Sequence, residues 1–363
     1  NVLQPKIADG TFVIKNSSEA EALQDKAELT RDEMANIIGQ VTTNWDFNDA
    51  KNLSEANLTA TTAEDKGDVF ILAPNDGTAR AIADSFAADA DVSSYVVTGQ
   101  DAEIASVQYI IDGKQSMTVL KDVRTLVADA IAAGIAFLEG ETPEETNTYN
   151  NGVIDVPAKP SVVISVDQEN VQEEVIDSGY WPAEEFTAAE EAPAAEVAAG
   201  SVGIVLPTKE EPRWIQDETR FRDAFDAAGY EVEILFSEGD SAKERSNVED
   251  LITKGVQVII LTPHDGAAAA AAAEAARDAG VKVVAYDRLI LDTEAVDYYV
   301  TFDSIAVGEA QGQYLVDKAS GSGNPLYLYA GAATDNNAFL FFEGAWNVLQ
   351  PKIADGTFVI KNS

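Results

Sequence analysis

Residues 256–266 read VQVIILTPHDG and residues 281–290 read VKVVAYDRLI. Each begins as a short apolar run rich in β-branched side chains and then breaks into a polar loop. A strand wetted on one face alternates apolar and polar residues, whereas one covered on both faces is apolar almost continuously. Between the two lies 267–279, an alanine-rich stretch whose small side chains suit close helix–sheet packing. Strand, helix and strand at this spacing predict a parallel sheet with helices on both faces.

The plan extends in both directions. Upstream, 202–206 reads as a strand, and Trp214, Phe221, Phe225 and Ala228 line one helix face that Gly229 closes. Val232, Ile234 and Phe236 alternate as a half-buried strand, and Ser241 with Glu244 caps the next helix. Downstream, 326–329 is a strand ending near Gly331. The first half repeats the alternation. A capping box at Thr30 and Glu33 precedes Met34, Ile37, Ile38 and Val41 at helical spacing, and 68–73 (DVFILA) is a buried strand. Strands follow at 95–98, 116–120, 152–156 and 161–166, with an apolar helix over 124–138. The fold class is α/β.

Two segments depart from this rhythm. Residues 183–200 (AEEFTAAEEAPAAEVAAG) offer few side chains for a core and read as an acidic linker. Residues 1–17 (NVLQPKIADGTFVIKNS) recur without change at 347–363. An identical pair at the two ends suggests a head-to-tail or circularly permuted unit whose first strand follows the linker. The two copies then compete for one place in the fold, a helix running into a strand.

Composition narrows the function. The chain has 363 residues, 63 acidic against 24 basic, giving a formal net charge of −39. Such a field repels phosphate backbones and anionic lipid, so neither nucleic acid nor membrane insertion is expected. With no cysteine and a single histidine, His264, thiolate chemistry and His-rich metal sites are excluded. No cofactor and no metal are expected. An enzyme is the main rival reading, but no strand ends in GxGxxG and no GxxxxGK loop is present. The effector domain of a sugar-responsive repressor would need a basic DNA-binding segment, and 183–200 is the opposite.

In open parallel sheets, ligands lie beyond the carboxyl ends of the strands. There this sequence places Lys209 with Arg213, Asp287 with Arg288, Asp335 with Asn336 and Asn337, Asn75 with Asp76, Gln100 with Asp101, and Lys121. Carboxylates, amides and cations together donate and accept hydrogen bonds, as a neutral polyhydroxylated ligand requires. Trp45 and Trp214 offer flat apolar faces to a sugar ring.

The motifs PTKEEPRW (207–214), YDRLI (286–290), TFD (301–303), DNNA (335–338), GQDAE (99–103) and TVLKD (118–122) resemble the periplasmic aldose-binding proteins of ABC importers. The resemblance is to the xylose-binding and multiple-sugar-binding (ChvE-like) branch, and it covers 201–363 followed by 18–181. It implies a type I periplasmic-binding-protein fold in circularly permuted order, with two Rossmann-like lobes joined by a three-segment hinge. By position it implies sugar contacts from Arg213, Asp287, Arg288, Asn337, Trp45, Asn75, Asp101 and Lys121, with Trp45 stacked on the pyranose; Lys209 and Trp214 complete the expected set. The crossovers are expected near 302–305, 121–123 and 152–157. One lobe would comprise 201–303 with 124–151, the other 304–363 and 1–123 with 152–182. Function would be non-enzymatic: an aldose such as xylose, glucose or galactose favours the closed form, which an ABC permease recognises. A chemoreceptor or sensor kinase is a further partner, alone in a sensor-only version. The setting is periplasmic or extracellular, with a lipid anchor in the precursor.

Overall fold

A computed structural model describes residues 16–23, 26, 28–63, 66–186, 201–321, 323–354 and 357–360. Helices α1 (Ser18–Ala22), α2 (Arg31–Val41) and α3 (Phe47–Ala60) lead into β1 (Gly67–Leu72), α4 (Asp76–Ala88), β2 (Val92–Val97), α5 (Ile104–Ile111) and β3 (Met117–Leu120). Then come α6 (Val123–Glu139), β4 (Asn147–Asn150), β5 (Asp155–Ser161) and β6 (Ile164–Asp167). After the acidic segment the order is β7 (Ser201–Leu206), α7 (Pro212–Ala228), β8 (Glu231–Phe236), α8 (Ser241–Lys254), β9 (Val258–Leu261) and α9 (Ala270–Asp278). The chain continues through β10 (Lys282–Tyr286), β11 (Tyr298–Phe302), α10 (Ser304–Lys318), β12 (Asn324–Leu328), α11 (Asn336–Ala354) and β13 (Phe358–Ile360).

The strands form two lobes. In one, a seven-stranded sheet runs β4-β5-β11-β10-β9-β7-β8, parallel except for the β4–β5 pair. The opening runs are its centre: every residue of β9 is buried, and β10 exposes only Lys282. In the other lobe β13-β12-β1-β2 is a parallel sheet, and β3 pairs antiparallel with β6 beside it, Val119 bridging to Gln100. Helices α10 and α11 of this lobe pack backbone to backbone. A methyl on Gly308 would lie 2.7 Å from Ala345 N, and one on Gly344 would lie 2.9 Å from Glu309 N. Only glycine permits that approach.

The chain crosses between lobes where β11 enters α10, at Asp303, and where β3 enters α6, at Lys121–Asp122. Both match the expected positions. The third crossing differs, falling at Val162–Val163 rather than at 152–157. Residues Asp155–Ser161 form β5, parallel to β11, so 152–161 belongs with the seven-stranded sheet. The expected strand at 152–156 overlaps only the start of β5, because Pro157 and Pro160 lack the ladder N–H and break the strand reading there.

The C-terminal copy of the repeated segment supplies the end of α11 and all of β13, which pairs parallel with β12. Phe358 is buried there, edge-on to Phe70 at 4.8 Å. From the N-terminal copy, Asn16 donates from Nδ2 to Leu328 O at 2.8 Å; residues 1–15 lie outside the described residues. So do 187–200, most of the expected linker. Its first part, Ala183–Phe186, is a 3-10 turn whose Phe186 packs near Val171, Val175 and Tyr180.

Candidate functional site

The loops at the carboxyl ends of strands from both sheets meet around a narrow cavity of about 270 Å3, counting space open to solvent. Its lining contains Trp45, Asn75, Asp101, Lys121, Arg213, Trp214, Asp287, Arg288 and Asn337, nine of the ten expected residues. Lys209 is the exception. Three residues before α7 starts it turns outward, 59% exposed, with Nζ 3.4 Å from Glu218 and 4.5 Å over the Phe236 ring.

The backbone aims several of these groups at some conformational cost. Trp45, Asp101 and Asp287 adopt φ of 63°, 101° and 61°, the left-handed region that side chains with a Cβ avoid. The strain at Asp287 is held by its carbonyl, which accepts from Tyr299 Oη (2.9 Å), Thr301 Oγ1 (3.1 Å) and Asn337 Nδ2 (2.8 Å). Trp45 lies against Gly331 and edge-on to Phe341, 6.3 Å between centroids. Asn75 caps α4, its Oδ1 accepting from Thr78 N at 3.2 Å, which leaves its amide N–H groups as what it can offer a ligand.

A charged network spans the lobes. Arg213 donates from Nε to Asp217 (2.9 Å) and from its two Nη atoms to Asp287 (2.9 Å) and Asp101 (3.4 Å). Lys121 Nζ lies 2.9 Å from Asp101 and 3.7 Å from Asp287. Arg288 Nε meets Asp335 at 2.9 Å, and its Nη2 stands 3.6 Å from Glu211 Oε1. Arg213 and Arg288 both lie over the Trp214 ring, at 4.9 and 5.1 Å. Burial would raise the Asp287 carboxyl, but Lys121, Arg213 and Arg288 outweigh it and hold it down at about 2. Asp217 sits behind Arg213, where burial wins and pushes it up to about 6.

Gln100, Glu211, Asp335 and Phe341 also line the cavity. Gln100 and Asp335 were legible as members of polar clusters at strand ends. Glu211 reads in sequence as a solvated loop carboxylate, and Phe341 as a core position of an apolar helix. Four buried side-chain atoms around the cavity make no hydrogen bond: Trp45 Nε1, Trp214 Nε1, Gln100 Oε1 and Asn337 Oδ1. Two are donors and two are acceptors. Leaving buried polar atoms unpaired costs about 1–3 kcal/mol each, so four of them on residues lining one cavity call for a hydrogen-bonding partner there.

An outer chamber of about 1520 Å3, counting space open to solvent, adjoins the cavity and shares Trp45, Asn75, Glu211 and Arg288 with it. His264 lines this chamber and not the inner cavity that holds Asp101 and Lys121, so the three do not form one constellation. Its backbone N–H donates to Glu244 at 2.7 Å, and burial lowers its imidazole pKa.

Two lobes built on parallel sheets are thus joined by three crossings and face each other across a polar cavity. The chain belongs to the periplasmic binding protein domain family, which matches it over residues 8–142 and 202–362. It is 40% identical over 176 residues to the multiple sugar-binding periplasmic receptor ChvE of Rhizobium radiobacter, covering 47% of this chain and 49% of that one. To the D-xylose-binding periplasmic protein of Escherichia coli it is 34% identical over 155 residues, 43% of this chain and 46% of that one. The chain thus spans about half the length of the curated relatives it matches. Among solved structures, a carbohydrate transporter solute-binding protein from Chloroflexus aurantiacus, in complex with D-glucose, is 73% identical with a TM-score of 0.49, covering 50% of this chain and 54% of that one. No helix among the described residues is long and apolar enough to cross a membrane.

Proposed function

We propose that the protein binds a neutral aldopyranose in the inner cavity, closes its lobes around it, and delivers it to the permease of an ABC importer outside the cytoplasm. The observation that carries this reading is the set of four unpartnered atoms, two donors and two acceptors, between the lobes. A sugar hydroxyl donates and accepts at once, so a ring bearing several of them satisfies such a set. The Trp45 and Trp214 rings supply the apolar surface that the C–H face of a pyranose needs. Relatives named for multiple sugars and for D-xylose support the ligand class.

Closure follows as linkage. A ligand touching Arg213, Trp214 and Asp287 from one lobe and Trp45, Asn75 and Asn337 from the other binds the closed form better than the open one. No bond is made or broken, and the protein is no enzyme in this reading. Isothermal titration with D-glucose, D-xylose, D-galactose, L-arabinose and L-fucose tests it. Saturable heat with at least one of them is expected; no heat and no thermal shift with any would sink it.

A further inference from the structure

The cavity lining carries three cations, Lys121, Arg213 and Arg288, and four carboxylates, Asp101, Glu211, Asp287 and Asp335. Every cation is already engaged. Arg213 spends its Nε and both Nη atoms on Asp217, Asp287 and Asp101, and Lys121 lies between Asp101 and Asp287. Arg288 is the one with a loosely held edge. Its Nε is fixed on Asp335 at 2.9 Å, while Nη2 faces Glu211 at 3.6 Å, beyond hydrogen-bond length. Glu211 stands at the start of α7, where the inner cavity meets the outer chamber.

A guanidinium fork is the group that recognises a carboxylate, usually by two parallel hydrogen bonds. Here Glu211 stands opposite that edge from the protein's own side, 3.6 Å away. We infer that Glu211 is a charge filter, which occupies the outward edge of Arg288 and so admits uncharged aldoses while turning away sugars that carry a carboxylate, the uronic and aldonic acids. An anionic sugar would have to displace Glu211 from Arg288 and then sit among carboxylates already in excess by one. A neutral sugar meets no such repulsion. The like charge raises a barrier against the wrong ligand without adding a contact for the right one.

This inference rests on the sugar-binding reading above, and one set of titrations separates the two. Wild type, Glu211→Gln and Glu211→Ala are titrated with D-glucose and with D-glucuronate at about pH 8, alongside Glu210→Gln as a control on the neighbouring exposed residue. Melting curves of each confirm that it is folded. Wild type is expected to bind glucose and to discriminate against glucuronate. Both Glu211 substitutions should raise the ratio of glucuronate to glucose affinity by about tenfold or more, and Glu210→Gln should leave the ratio where wild type has it. An unchanged ratio in both Glu211 variants, or wild type binding glucuronate as tightly as glucose, overturns the filter while leaving sugar binding intact. Wild type that binds neither sugar overturns both.

Discussion

Gly331 follows β12 and lies directly beneath the Trp45 indole. A Cβ built at Gly331 would come within 3.0 Å of three ring carbons of Trp45, closer than side-chain atoms pack. Carbon atoms rest at about 3.5–4.0 Å, so Gly331→Ala must drive the ring away by about 1 Å or more. The ring has little room to yield, because Trp45 is held at φ 63° and abuts Phe341. Overpacking of this kind costs about 1–3 kcal/mol of stability. In binding, displacing the indole removes one aromatic face and one N–H donor, together about 1–3 kcal/mol, or roughly 5- to 150-fold in Kd. Backbone strain is no part of the effect, since Gly331 has no positive φ. Calorimetric titration with glucose and thermal melts of wild type, Gly331→Ala, Trp45→Ala and the double variant form a cycle. In the Trp45→Ala background the glycine substitution should cost less than about 0.5 kcal/mol in either measurement. A Gly331→Ala protein with wild-type affinity, or one equally damaged when Trp45 is absent, would refute the reasoning.

Three further outcomes are expected. Gly308→Ala should destabilise by about 3 kcal/mol or more, because Phe341 and Ala345 backbone atoms occupy the space; Gly39→Ala, on the exposed face of α2 with nothing within 4 Å, should instead stabilise by about 0.5–1 kcal/mol, and chemical denaturation of both checks the contrast. Arg213→Met leaves Asp217, Asp101 and Asp287 without their shared partner and should cost about 3–5 kcal/mol, read as a lowered Tm that recovers in part as pH falls and Asp217, no longer held down by Arg213, takes up a proton above its wild-type value of about 6. Burial pushes Glu211 up from 4.5 to about 7, against the attraction of Arg288 and with the repulsion of Asp101 and Asp335. A carboxyl raised on folding contributes stability that is present below the unfolded value and lost as pH rises through the folded one. Wild type should therefore lose stability relative to Glu211→Gln between about pH 5 and pH 8, by up to about 3 kcal/mol, read as diverging Tm curves; parallel Tm curves would contradict this.

The continuous apolar runs made the central strands legible, because a strand covered on both faces leaves no polar positions to confuse the pattern. The polar residues closing those runs gave seven of the ten expected site residues their place in the cavity, since strand ends converge wherever parallel strands share a sheet, and Trp45 and Trp214 join them there. Lys209 failed for a local reason: a long aliphatic stem finds Phe236 and Glu218 more readily than the cavity. Glu211 and Phe341 were missed because their roles depend on residues far along the chain, Arg288 and Trp45, which local spacing does not show. β5 was legible only at its start, since its two prolines broke the strand reading. Identical sequences have identical propensities, so no sequence argument ranks the two copies of the repeated segment. The structure places the C-terminal one against β12.

The ion pairs across the cleft carry one more consequence. Arg213 with Asp101, Lys121 with Asp287, and Arg288 with Asp335 each join groups of the two lobes, so their pull toward closure belongs to the protein and not to its cargo. On the sugar-binding reading proposed above, such pairs favour the closed shape even without a ligand, so that sugar raises the closed population from a floor above zero, and whatever reads the closed form measures a ratio rather than a switch.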